Sequence, residues 1–226
     1  MKYFLLALLL VCFASPKAQE NKKYINITGT SELILSADQM NFTVQVKTIS
    51  ESVDESKKTN DIHMNELMTL LKNTGIRPND ITTSPISIGK NYETHERERI
   101  QKGFFTAITV SFLLVDLSKY YELTNKLSSS NSFDNVNSSY AISDYELQNK
   151  LTYQKALKAA KEKAEYMSNS LGLKLGDVLE IDENTNTPNY YSSNSLNSNV
   201  VIDSQSYNIS GKVTIRKSVR VKFAIK

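Results

Sequence analysis

The stretch "GFFTAITVSFLLVD", residues 103–116, decides the fold. Phe104, Thr106, Ile108, Val110, Phe112 and Leu114 recur with a period of two, while Phe105, Ala107, Leu113 and Val115 fill the alternate positions. That period is a strand's, and apolar residues in both sets predict a central strand covered on both faces.

Upstream, "YINITGTSELIL" and "MNFTVQVKTI" are rich in β-branched residues and are joined by "SADQ", so they read as two strands around a turn. Ser50 opens a predicted helix that stops at Gly75, with Val53, Asn60, Met64, Leu67 and Leu71 along one side. Asn60 is the polar residue in that stripe, and it is expected to hydrogen-bond neighbouring backbone. "DITTSPISIGKNY" is a further strand, and the charged residues 93–102 between it and Gly103 form the tip of a hairpin.

Downstream, Asp116 caps a short helix to about Leu127, and "FDNVNSSYAISD" is a strand. A long helix covers Tyr145 to Leu171, with its buried stripe expected through Tyr153, Leu157, Ala160, Ala164, Met167 and Leu171. "GDVLEIDE" is a strand, and residues 184–210 form an Asn/Ser-rich loop carrying Tyr190, Tyr191 and Tyr207, which are candidate oligomer contacts. The last segment, "GKVTIRKSVRVKFAIK", alternates. Val213, Ile215, Val219, Val221, Phe223 and Ile225 point one way, and Lys212, Arg216, Arg220 and Lys222 form a basic stripe on the other face, a candidate contact for an anion or a partner. Strands and helices in this order predict an α+β fold of mainly antiparallel sheets with one long and two shorter helices packed on them.

The N-terminus, "MKYFLLALLLVCFASPKAQE", has an apolar run from Phe4 to Phe13 that is too short to span a bilayer and is followed by small residues. It reads as a signal peptide over residues 1–18, cut after Ala18 or, alternatively, Ala14. A competing reading makes Cys12 a lipidated residue, although Val11 is a poor small residue for that motif. Either cut removes Cys12, the only cysteine, and with it disulfides and thiolate chemistry. Removing Lys2 and Lys17 as well leaves 25 basic against 24 acidic residues, so nothing in the overall charge argues for nucleic acid. The mature chain, residues 19–226, suits one sizeable domain or two intimately packed sub-units, 19–115 and 116–226.

Catalytic sets are hard to assemble. Neither GxGxxG nor GxxxxGK[ST] occurs, and the two histidines, His63 and His95, lack an i, i+4 partner. "HERER", residues 95–99, begins like a zinc motif but has Arg99 where the second histidine must stand. The expectation is therefore no enzyme, no metal and no cofactor; a hydrolase with dispersed carboxylates is the least favoured alternative.

Several pieces carry a resemblance: "INITGTSELILSADQMNFTVQV", Asn60 with "LKNTGIRPNDITTSPISIGKNY", "GFFTA", "AISD", "ALKAAKEKAEYMSNSLGLKLGDVLEIDE" and the closing strand. In their order and spacing the chain resembles the SIMPL-domain family of bacterial periplasmic oxidative-stress defence or immunogenic proteins. The resemblance implies an exported protein of the periplasm or cell surface that forms ring-like homo-oligomers and has no established catalytic residues. It departs from the family's pattern at Ala37, where a proline often precedes the aspartate matching Asp38. The implied function is a self-associating scaffold or interaction module in envelope or oxidative-stress tolerance, with other envelope proteins as further candidate partners. The alternative from a different class is a binding module for anionic lipid or polysaccharide through the basic strand.

Overall fold

A computed structural model of the chain describes residues 23–95, 98–183 and 211–226, and the backbone alone of 202–203 and 206–207. The signal-peptide reading, Tyr190 and Tyr191 lie outside the described residues.

Among the described residues the elements run β1 (Tyr24–Ser36), β2 (Gln39–Ser50), α1 (Val53–Thr74), β3 (Ile81–Thr83), β4 (Ser87–His95), β5 (Glu98–Leu114), α2 (Tyr120–Ser129), β6 (Asn135–Ala141), α3 (Tyr145–Ser170), β7 (Leu175–Glu183), β8 (Ile202–Asp203), β9 (Ser206–Tyr207) and β10 (Lys212–Ile225). The α+β class is as expected. Two compact units emerge, and neither follows chain order. The larger takes the described residues of Glu32–Thr152 and Pro188–Lys217; the smaller takes those of Met1–Ser31, Tyr153–Thr187 and Ser218–Lys226.

In the larger unit β5 is central. It pairs antiparallel with β2 on one side and with β3 and β4 on the other, and β6 continues the sheet beyond β2. The even-numbered residues of β2 and β5 form the core: Phe42 lies directly opposite Phe112, with rings stacked at 5.1 Å, and Val44 lies opposite Val110. Leu67 and Leu71 of α1 and Leu123 and Leu127 of α2 close over them. Each such side chain contributes about 2 kcal/mol by leaving water.

The other face of β5 corrects the expectation of a fully covered strand. Phe105, Ala107 and Leu113 are half-buried and Val115 is exposed. The reason is that the helices pack on one face of the sheet, so the apolar alternate set is screened mainly by neighbouring strands. The hairpin expected around residues 93–102 is formed by β4 and β5: His95 faces Glu98 across it, and Arg99 stacks on Tyr92 at 4.3 Å.

Helix α1 is capped by Ser52 rather than Ser50, because the Ser52 side chain accepts the Glu55 N–H while Ser50 still pairs with Phe104 in the sheet. Gly75 ends the helix in the left-handed region, at φ 85°, and donates to the carbonyls of Leu71 and Lys72. Asp116 caps the short turn before α2, accepting from Ser118 N–H at 3.1 Å and Ser118 Oγ at 2.6 Å.

At the β1–β2 turn, Asp38 accepts from Ser143 N–H at 2.8 Å and Ser143 Oγ at 2.6 Å. The neighbouring Ala37 N–H donates to Gly211 O at 2.8 Å. A proline at 37 has no such donor. Ala37→Pro is therefore expected to destabilise the chain by about 1 kcal/mol, read from the urea midpoint.

In the smaller unit, β10 lies between β1 and β7, and α3 covers one face. Val219, Val221 and Phe223 meet Ala156, Ala160 and Ala164 there. This corrects the stripe expected on α3: the buried ridge runs through alanines at i, i+4 spacing, while Met167 and Leu171 are exposed and Leu157 is at the margin of exposure. The cause is close approach. A Cβ on Gly29 of β1 would collide with Ala156 O and stand 2.5 Å from Ala160 N, so only small side chains fit beneath the helix.

Candidate functional site

Four places in the fold could carry function, and each is built from local sequence.

The basic strand divides between the units. In the larger, Lys212 and Arg216 are exposed, and the Arg216 guanidinium grips the Glu32 carboxylate with two hydrogen bonds, at 2.8 and 3.3 Å. That charge-assisted bond holds the Glu32 carboxyl below its ordinary range and raises Arg216. In the smaller unit Arg220 is exposed, whereas Lys222 is half-buried, lies 3.7 Å from Glu180 and sits 4.3 Å over the ring of Tyr24. Two of the four cations are thus already ion-paired with a carboxylate on a flanking strand, and Arg220 lies opposite Asp182 of β7. Lys217, which the reading of the stripe passed over, is in phase with Ile215 and Val219 and is only 8% exposed. Simple alternation was the signal that could have found it.

A second place is a cleft of about 400 Å³ in the larger unit, lined at one side by Thr74, Gly75, Ile76, Arg77 and Asp80 and at the other by residues 113–116 and Lys119. Its charges are engaged. Arg77 forms a bidentate pair with Asp80 at 2.6 and 3.1 Å, which raises the guanidinium, and Asp116 is lowered by its bonds from Ser118. Lys119 Nζ donates to Thr74 O at 2.8 Å, at the negative end of α1. These groups fasten the end of the helix, and the set contains no nucleophile with an adjacent base.

The third is the polar cluster under α1. Asn60 Nδ2 donates to Val46 O at 3.0 Å and Thr106 O at 3.2 Å, as its place in an apolar stripe suggested. Ser56 Oγ donates to Thr106 Oγ1 at 2.9 Å, and Thr48 Oγ1 to Ser56 O at 2.7 Å. Asn60, Ser56 and Thr106 are fully enclosed, so this network locks helix to sheet rather than meeting a ligand.

The fourth is on the smaller unit, where large apolar side chains stand outside: Tyr166 and Leu171, each 74% exposed, and Met167 on α3, with Val178, Leu179 and Ile181 on β7. Patches of this kind mark surfaces for other macromolecules.

Among the described residues no group of three or more His, Cys, Asp or Glu side chains is placed to hold a metal ion, and no helix is long and apolar enough to cross a membrane. Of the tyrosines proposed for oligomer contact, only the backbone of Tyr207 is described, in β9.

No curated protein matches the chain. The family model described as SIMPL, a protein of unknown function (DUF541), matches residues 25–223, from within β1 to within β10. Covering the two larger sheets and the three helices of the described residues, that match establishes that the chain belongs to the SIMPL family.

Proposed function

We propose that the chain is an exported, non-enzymatic envelope protein that self-associates and acts as a scaffold or interaction module in tolerance of envelope or oxidative stress. The observation that supports self-association is the set of large apolar side chains left outside on the smaller unit, chiefly Tyr166, Met167 and Leu171 at the end of α3. Export to the periplasm or cell surface draws on the apolar run from Phe4 to Phe13 and the small residues after it. Tyr190, Tyr191 and Tyr207 are further proposed contacts between copies.

Light scattering on the mature chain from micromolar to millimolar concentration tests the assembly. A discrete oligomer is expected, and a monomer throughout would remove this part of the reading. A deletion strain is expected to be more sensitive to peroxide or detergent, and unchanged sensitivity would remove the stress role.

Binding to anionic lipid or polysaccharide is the second reading, favoured by the exposed heads of Lys212 and Arg220. Sedimentation with anionic vesicles is then expected to weaken as salt rises and on Lys212→Glu/Arg220→Glu, and salt-insensitive or absent binding would remove it.

A further inference from the structure

Strand β7 is the edge of its sheet. β10 occupies one side, and no strand lies on the other among the described residues. Its outward N–H and C=O groups form the kind of row that accepts an additional strand.

The register shows what such a strand must look like. Ile181 faces Val221 and Val178 faces Phe223, so both lie on the side covered by α3, yet they remain 59% and 51% exposed. Asp182 faces Arg220 and Glu180 faces Lys222 on the opposite side, with Glu180 and Lys222 3.7 Å apart. β7 is therefore two-faced in its middle, with Val178 and Ile181 on the helix side and Glu180 and Asp182 on the other. Leu179 stands at the irregularity between the Glu180 and Val178 pairs, and Glu183, opposite Val219, puts a carboxylate on the helix side at the strand's end. The strand it already accepts, β10, has the complementary pattern of apolar residues on one face and Arg or Lys on the other. The outer edge of β7 offers the same two faces again, with its apolar side chains uncovered.

A second β7 is a poor occupant. Antiparallel pairing of two copies centred on Glu180 would set carboxylates opposite each other, which is destabilising.

We propose that the outer edge of β7 is a docking site for an extended segment of a partner protein in which basic and apolar side chains alternate, added to the sheet as a fourth strand. This rests on the reading of the chain as an interaction module but does not require self-association. Backbone hydrogen bonds would supply affinity, the exposed Val178 and Ile181 an apolar footing, and the carboxylates the choice of a basic segment.

The probe is a labelled peptide copying residues 212–225, "KVTIRKSVRVKFAI", set against its scrambled form and a form with every Lys and Arg replaced by Glu. Fluorescence anisotropy with the mature chain is expected to show saturable binding of the first alone, about tenfold weaker at high salt. Val178→Lys/Ile181→Lys is expected to weaken binding at least tenfold without moving the melting temperature, since both side chains are already largely in water. Asp177→Lys/Asp182→Lys is expected to remove the salt dependence. Hydrogen exchange should show new protection on β7 with none lost from β10.

Equal binding of the scrambled peptide, no binding, full affinity in the Val178/Ile181 variant, or loss of β10 protection through strand exchange would each overturn the proposal. A monomeric chain that captures the peptide keeps this site and removes self-association; an oligomer that ignores the peptide does the reverse.

Discussion

Gly29→Val is expected to lower the melting temperature by roughly 10 °C or to abolish folding of the smaller unit. The added Cβ alone would collide with Ala156 O and stand 2.5 Å from Ala160 N and 2.6 Å from Ala160 Cβ. The first two are backbone atoms of α3, so relief requires moving the helix off the sheet rather than turning a side chain. Overpacking of this kind costs about 3 kcal/mol or more, and each kcal/mol lowers the midpoint of a chain of this size by about 2–4 °C. Gly29→Ala should already show most of the loss, because the clash is at Cβ, and thermal melts of the two variants beside wild type measure it. A midpoint within a degree or two of wild type in Gly29→Ala would show that helix and sheet are not as close as described.

Asn60→Asp is expected to cost about 3 kcal/mol or more at neutral pH, and the cost should shrink in acid. The side chain is fully enclosed and its amide donates to two carbonyls, Val46 O and Thr106 O. A carboxylate there would face both oxygens with nothing to donate, and burial adds to the penalty. Burial and the two carbonyls push the new carboxyl's folded pKa above its unfolded value of about 3.9. Between those two values the unfolded chain releases its proton first and the folded chain holds more protons, so stability falls as pH rises through that window. Below both values the neutral acid can still donate once, and the loss is smallest. Urea midpoints from pH 4 to pH 8 test the slope; a flat difference from wild type would mean that the site admits water. Asn60→Leu, which removes the donors without a charge, should cost less at pH 7 and show no such slope.

How far the fold was legible depends on which cue each element offered. β10 and β5 announced themselves through alternation, and Asn60 through an amide in an apolar stripe, since a buried polar group needs partners wherever the helix lies. The phase of α3 was misread because Leu157, Met167 and Leu171 are more hydrophobic than alanine, and hydrophobicity alone draws the stripe through them. What decides the phase is Gly29, more than a hundred residues upstream, which brings the backbones so close that only Ala156, Ala160 and Ala164 fit between them.

The candidate surfaces were less legible for a related reason. "GDVLEIDE" gives the same pattern whether the strand is internal or at an edge, and strand order is a long-range property. The cleft joins residues 74–80 with 113–119, which no local motif connects. The basic strand was found in sequence, but the grip of Glu32 on Arg216 depends on which strand lies beside it.

The measurement that tests the account most directly is sedimentation velocity of the mature chain beside Tyr166→Glu/Leu171→Glu, over a hundredfold range of concentration. Both side chains are largely exposed in the single chain, so the variant should fold with an unchanged melting temperature. The expected result is a discrete oligomer for wild type and a lighter species for the variant. A wild type that remains monomeric at every concentration, or an oligomer that the two carboxylates leave intact, would contradict the assignment of the smaller unit's apolar surface to assembly.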